Sequence, residues 1–329
     1  MMSKKLPSNN SLQAGLVALT IGFAGCGNQA VSTSFTQTTS INENLPQVVA
    51  TTSVLCDLIK QVAENTINLT CLISPGQDPH VYQPSLEDRK AIEQANLILY
   101  NGYNFEPGLI GIIKATKNST PKIAVAQLAV PKPQQFRQAG RRVTDPHIWH
   151  NAKNTISMVE VISNNLKKLE PSNAATYSDN TRQIKNQLIQ MDSWIKSRIA
   201  SIPSKQRKLI TTHNALGYYA KAYGLSLAGA IEGISTGRKP TSTQMKNLVK
   251  NIQQAKIPTI FAETTMNPEL IQSVAQEVEV KVSEKELYTD GLGESRSDGD
   301  TYQKMMVSNT RTIVEGLGGT YLRFKAKER

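Results

Sequence analysis

Histidine is scarce in this sequence of 329 residues: there are four, beside three cysteines and two tryptophans. Any chemistry built on these residue types is therefore confined to a few nameable positions. Beyond the first thirty residues no apolar run reaches the ~20 residues that a membrane-spanning helix requires. The rest of the chain reads as a globular body. There is no Gly-x-x-x-x-Gly-Lys-Ser/Thr phosphate loop and no His-Glu-x-x-His pair, which sets aside nucleotide hydrolysis and zincin-type proteolysis. The glycine-rich turns at 291–293 and 316–319 lack the strand–turn–helix setting of a phosphate cradle. The formal net charge is +11, yet Lys and Arg are scattered and no basic cluster is interleaved with aromatics. Nucleic acid is thus not expected as a partner. No internal repeat is apparent.

What is present is a chain with 39% apolar and 19% charged residues, long enough for two lobes and an export segment. Lys4 and Lys5 form a positive start, and Leu12–Gly25 is an apolar stretch of signal-peptide length. Ala24 and Gly25 then precede Cys26. This resembles a bacterial lipobox, in which Cys26 becomes a lipidated first residue, although Phe23 stands where an aliphatic residue is usual. Ordinary cleavage nearby, with release of the protein, is the alternative. Gly27–Leu45 is rich in Ser, Thr, Asn and Gln and reads as a flexible tether. Export into an oxidising compartment permits Cys56 and Cys71 to pair, while two buried apolar thiols remain equally open.

Alternation of short apolar runs with helical periods follows. Gln47–Thr52, Asn68–Ile73 and Leu97–Tyr100 read as strands, with Ser53–Glu64 and Leu86–Ala95 as helices between them. This rhythm predicts a parallel sheet with helices on both faces. From Asn154 to Ser201 the pattern is almost continuously helical, broken at Glu170-Pro171 because proline cannot sit inside a helix. The helix after the break predicts a rod of ~44 Å. The α/β pattern then restarts: Lys208–Thr212, Thr259–Ala262 and Val280–Val282 as strands, Ala215–Tyr223, Thr243–Ala255, Pro268–Val278 and Thr301–Gly316 as helices. The expected fold is α/β, two lobes of parallel-sheet type joined by one long rigid helix. The expected divisions are a signal peptide at 1–25, a tether at 26–45, a first lobe at 46–170, a bridging helix at 171–202 and a second lobe at 203–329.

Three of the four histidines fall in loop-like sequence where strands end. His80 lies in SPGQDPHVY, His147 in TDPHIWH, and His213 directly after KLITT. Asp290 in LYTDGLGE is placed similarly. In open α/β sheets ligands bind at the carboxyl ends of strands. Imidazole nitrogens with a carboxylate suit a borderline divalent cation, and three His with one Asp complete a tetrahedron. A closed shell leaves no position for an activated water, which favours binding over hydrolysis. Each of the first two histidines ends an Asp-Pro-His tripeptide. There proline stiffens the loop and the Asp is placed to support the loop or the His.

These motifs, with VVATTSVLCDLI, ILYNGYNFEP, THNALGYYAKAYGL, IFAETTMNPELI and GDTYQKMMVSNT in one order, resemble the cluster A-I periplasmic substrate-binding proteins of zinc and manganese ABC transporters. The resemblance covers nearly the whole mature chain. It implies a metal site between two lobes, with His80 and His147 from the first and His213 and Asp290 from the second. It implies an exported, monomeric protein that hands a divalent metal to a membrane permease, with the ATPase a separate subunit. In manganese members the third position is usually Glu, so His213 resembles the zinc type, and Zn²⁺ is expected with Mn²⁺ as the alternative. A secreted zinc hydrolase and a surface adhesin are the competing roles.

The sequence departs from the family at several points. Tyr82-Gln83-Pro84 replaces Tyr-Glu-Pro, Trp149-His150-Asn151-Ala152 replaces Trp-Leu-Asp-Pro, and 114–143 holds no His-rich loop. His150 is expected to be a surface residue at a helix entry without effect on affinity. Glu263 is expected to hold a loop rather than to ligate, and Glu232 is a weaker candidate still.

Overall fold

The computed structural model describes residues 44–138, 141–233, 236 and 240–327. The signal-peptide, tether and Cys26 readings lie outside these residues. In the first half the order is β1 (Gln47–Ala50), α1 (Ser53–Ala63), β2 (Asn68–Cys71), α2 (Leu86–Gln94), β3 (Leu97–Tyr100), α3 (Pro107–Ala115), β4 (Lys122–Ala124) and α4 (Val125–Ala129). The four strands form a parallel sheet in the order β2-β1-β3-β4, with Val48 opposite both Leu69 and Leu97. Successive side chains of a strand face opposite ways. Accordingly Val48 and Ala50 join a core with Leu58 and Ile59 of α1, while Val49 joins one with Ile92 of α2 and Leu109 of α3. The sheet is therefore covered on both faces, which explains why β1 and β3 read as unbroken apolar runs.

β1 and β2 stop two residues earlier than their apolar runs predict. Thr52 leaves the β1 line because its side chain caps α1, accepting from Leu55 N. Ser85 caps α2 in a reciprocal arrangement with Asp88. Cys56 of α1 and Cys71 at the end of β2 form a disulfide, with Cα atoms 5.9 Å apart, which decides between the two readings of these cysteines.

An antiparallel hairpin follows, β5 (Gln135–Gln138) with β6 (Arg141–Thr144). A 3-10 turn at Ile148–His150 leads into α5 (Ala152–Leu169). A second such turn at Pro171–Asn173, at the predicted break, leads into α6 (Ala174–Ala200). With 27 residues α6 is ~40 Å long. Its buried residues Tyr177, Thr181, Ile184, Leu188, Met191, Ile195 and Ile199 recur at three and four positions, one helical stripe.

The second half contains β7 (Lys208–Thr211), α7 (Gly217–Tyr223), β8 (Ser226–Ala230), α8 (Ser242–Ala255), β9 (Thr259–Ile260), α9 (Pro268–Glu277), β10 (Lys281–Val282) and α10 (Tyr302–Gly316). β7 pairs with β8 and β9 with β10, all parallel. A single bridge from Thr211 to Phe261 links the two pairs. α6 is the shared spine, since Leu188 and Ile195 lie in one core with Leu58 of α1, Leu209 of β7 and Met305 of α10. After α10, residues 318–327 run back along α6. Trp194 Nε1 donates to Leu322 O at 2.9 Å, Arg198 to Thr320 O at 3.0 Å, and Gln190 and Lys327 bond in both directions. Among the described residues no helix is long and apolar enough to cross a membrane.

Candidate metal centre

The four residues that the sequence singles out meet at one point. His80 follows β2, His147 ends the segment after β6, His213 follows β7, and Asp290 follows β10. One donor atom from each lies within 4.8 Å of every other. His80 Nε2 is 3.2 Å from His147 Nε2. Asp290 Oδ1 is 3.2 Å from Nε2 of both His147 and His213 and 3.8 Å from Nε2 of His80. Donors bound tetrahedrally at 2.0–2.1 Å stand about 3.3 Å apart from one another. Three of these four separations are of that size, and the fourth, from His80 to Asp290, is longer at 3.8 Å.

The chemistry of these contacts is poor if the four groups serve only one another. All four are buried, His80 least so at 6% exposure. His213 Nε2 and Asp290 Oδ1 lie within ion-pair distance, yet neither has a hydrogen-bond partner of acceptable geometry. Buried polar groups without partners are costly. Four inward-pointing donors around one point are what a dication uses.

Two of the three imidazoles, His147 and His213, are aimed from behind, and His80 is held through its backbone. His147 Nδ1 lies 2.8 Å from Asp145 Oδ1, which also accepts from His147 N at 3.0 Å. Asn101 Nδ2 reaches the Pro146 carbonyl in the same loop, at 3.3 Å. His213 Nδ1 contacts Glu263 Oε2, and Glu263 Oε1 accepts from His213 N at 2.9 Å. Asp78 Oδ1 accepts from His80 N at 2.9 Å. With one ring nitrogen engaged outward, the other is turned to the centre. Both Asp-Pro-His tripeptides thus act as predicted, and Glu263 holds the loop as predicted. Phe105 stands edge-on to His80, with ring centroids 4.9 Å apart, and walls the centre with hydrocarbon.

Burial pushes His80 down to about 3, against the pull of Asp290. Burial also lowers His147, but the hydrogen bond to Asp145 and the nearby Asp290 carboxylate outweigh it and the ring is raised. For His213 burial is likewise overcome, here by the Asp290 and Glu263 carboxylates, and the ring sits well above the usual range. Burial would raise Asp290, yet the charge of His213 and the close approach of the His147 and His213 rings hold it well below. A histidine ligates through a neutral ring nitrogen, so a metal bound here would compete with protons for these rings.

Glu232 lies outside the cluster, its N donating to Thr212 O at 2.8 Å, and burial raises its carboxyl to about 7. His150 is not a surface residue. It is fully buried, with Nε2 2.7 Å from the carbonyl oxygen of Thr289. Position at a helix entry suggested exposure, but the turn that precedes α5 packs inward. Sequence reasoning missed its partner because 139 positions separate the two.

The family profile for "Zinc-uptake complex component A periplasmic" (ZnuA) matches residues 48–316. A metal ABC transporter substrate-binding lipoprotein, ScbA of Streptococcus cristatus, is 32% identical over 302 residues, 90% of this chain and 95% of that protein. The manganese ABC transporter substrate-binding lipoprotein PsaA of Streptococcus pneumoniae is 32% identical over 278 residues, 82% of this chain and 89% of that one. The solved periplasmic zinc-binding protein TroA of Treponema pallidum superposes with a TM-score of 0.79 at 29% identity, covering 83% of this chain and 99% of TroA.

Proposed function

Since the chain belongs to the ZnuA family of periplasmic zinc-uptake components, we propose that it binds one divalent transition metal through His80, His147, His213 and Asp290, with zinc favoured over manganese. The protein is the extracytoplasmic substrate-binding component of a metal ABC importer. Its family is one of solute-binding proteins rather than enzymes. A permease subunit receives the metal and a separate ATPase drives the transfer. In this reading 46–170 and 203–329 are the two lobes and 171–202 the connection, and the protein works as a monomer.

The observation that carries the ligand set is the convergence of three Nε2 atoms and one carboxylate oxygen at about tetrahedral spacing. Four protein donors close the shell and leave no position for an activated water, which argues against the hydrolase alternative. Three imidazoles favour zinc, since nitrogen-rich sites bind Zn²⁺ above Mn²⁺ and carboxylate suits the harder ion. Relatives carry both labels, zinc for TroA and manganese for PsaA. Elemental analysis of protein purified without added metal, followed by competition titration with equal Zn²⁺ and Mn²⁺, tests the reading. Tighter binding of manganese overturns the zinc assignment.

Attachment to the membrane runs through a lipid on Cys26, which follows the small residues Ala24 and Gly25 after an apolar run. Cys26→Ala is expected to move the protein from the membrane to the soluble extracytoplasmic fraction or to block its processing. Unchanged membrane association defeats this assignment.

A further inference from the structure

His150 is the one histidine outside the ligand cluster. It ends the Ile148–His150 turn that begins beside His147. A carbonyl oxygen only accepts, so at 2.7 Å from Thr289 O the His150 Nε2 carries the ring proton and donates. His150 Nδ1 is buried without a hydrogen-bond partner. Burying an imidazole with one nitrogen orphaned is unfavourable in itself. What is set against that cost is the hold on Thr289.

Thr289 is a junction. Its hydroxyl donates to Glu263 Oε2 at 2.9 Å, the same carboxylate that holds His213. Its carbonyl takes the His150 proton. The next residue is Asp290, whose Oδ1 faces His147 and His213 while Oδ2 accepts from Thr265 Oγ1 at 3.3 Å. The backbone on the His150 side is braced in turn, because Trp149 O accepts from Tyr302 Oη at 2.8 Å and Thr155 Oγ1 at 3.1 Å. One hydrogen bond therefore ties the turn that carries His147 to the loop that carries Asp290, across the two lobes.

We propose that His150 is a positioning residue of the metal centre, which through its bond to Thr289 O fixes Asp290 as a ligand by one oxygen. The proposal rests on the four-residue ligand set and adds a residue that does not touch the ion. Without this bond the Asp290 loop keeps a tie to the first lobe only beyond the ligand, where Leu292 N donates to Ser53 Oγ at 2.9 Å. Both carboxylate oxygens can then turn toward the ion, and the site admits more than four donors.

Co²⁺ is the probe, because its visible absorption is strong in a four-coordinate site and weak at higher coordination, so geometry is read directly. His150→Phe keeps a ring and removes the donor. It is expected to weaken the visible band and to release Co²⁺ to a chelator about tenfold faster or more, the usual effect of losing a group that orients a ligand. His150→Gln places an amide N–H near the position of Nε2 and should restore band and rate. His150→Asn, whose amide is too short, should not, and this pair carries the comparison if the Phe variant does not fold. A purely structural role would lower the melting temperature of the metal-free protein and leave the band unchanged, which overturns the proposal. So does a Gln variant indistinguishable from Asn. His147→Ala, run in parallel, separates the two levels. A band lost there but intact in His150→Phe removes the strut and leaves the ligand set standing. A band intact in both removes the ligand set as well.

Discussion

Glu263 grips His213 at two points, accepting from its backbone N through Oε1 at 2.9 Å and meeting its ring Nδ1 through Oε2. The ring can neither flip nor tilt without breaking a charge-assisted contact. This fixes which nitrogen faces the other donors, although Glu263 lies outside the converging group.

Glu263→Gln should therefore weaken zinc binding about 10- to 100-fold, the range for groups that orient a metal-bound imidazole. Competition against a chelator of known affinity measures it. Binding equal to that of the parent would show that packing alone orients His213.

His213→Glu exchanges a nitrogen donor for a carboxylate and should shift preference toward Mn²⁺. It also sets a carboxylate against Glu263, and like charges so close oppose joint ionisation. Absolute affinity should fall even as the Mn²⁺/Zn²⁺ ratio rises. Adding Glu263→Gln should recover part of the loss. Titrating both metals against both variants decides. An unchanged ratio contradicts the donor-set argument.

Glu106, outside the converging donors, makes stability depend on pH. It is fully buried, Oε1 accepting from Thr51 Oγ1 at 2.8 Å and Asn101 N at 2.6 Å while Oε2 has no partner. Burial raises its carboxyl from 4.5 to about 7. An acid raised in the folded state keeps its proton there after the unfolded chain has lost it. Stability thus falls as pH rises through this window. Glu106→Gln cannot ionise and should flatten the slope, gaining at most ~3 kcal/mol at pH 8. Melts of metal-free protein at pH 4.5 and 8 check this. A variant with the parent's full slope assigns the dependence elsewhere.

The Cys56–Cys71 bond spans 15 positions, a closure worth about 3 kcal/mol by loop entropy. Replacing both residues by Ala should lower the denaturant midpoint accordingly and leave metal stoichiometry at one. Reductant should produce the same shift in the parent and none in the variant. A variant as stable as the parent would mean that the closure contributes nothing.

Much of this could be read in advance, and the failures share a cause. β3 is bounded as its apolar run predicts, and the break at Glu170-Pro171 is where proline places it, because both signals are local. His80, His147, His213 and Asp290 are legible because chain breaks follow strand ends and because a family resemblance orders them. The hairpin Gln135–Gln138/Arg141–Thr144 and the strand Ser226–Ala230 were not anticipated. Their sequences, QFRQ, RRVT and SLAGA, carry little apolar alternation and are held by their partners. The inward turn of His150 is set by a carbonyl 139 positions away, and no periodicity records that.

The segment 318–327 lying on α6 imposes an order on assembly. A chain that enters its compartment amino end first delivers Gln190, Trp194 and Arg198 well ahead of their partners, which follow 122 to 137 positions later. Until those residues arrive, the indole of Trp194 has no carbonyl to bond and no Tyr321 or Phe324 ring beside it. The other tryptophan, Trp149, is buried in the core beside Phe105 and needs none of these residues. The two indoles therefore report on different places, one on the interior and the other on the docking of 318–327 against α6.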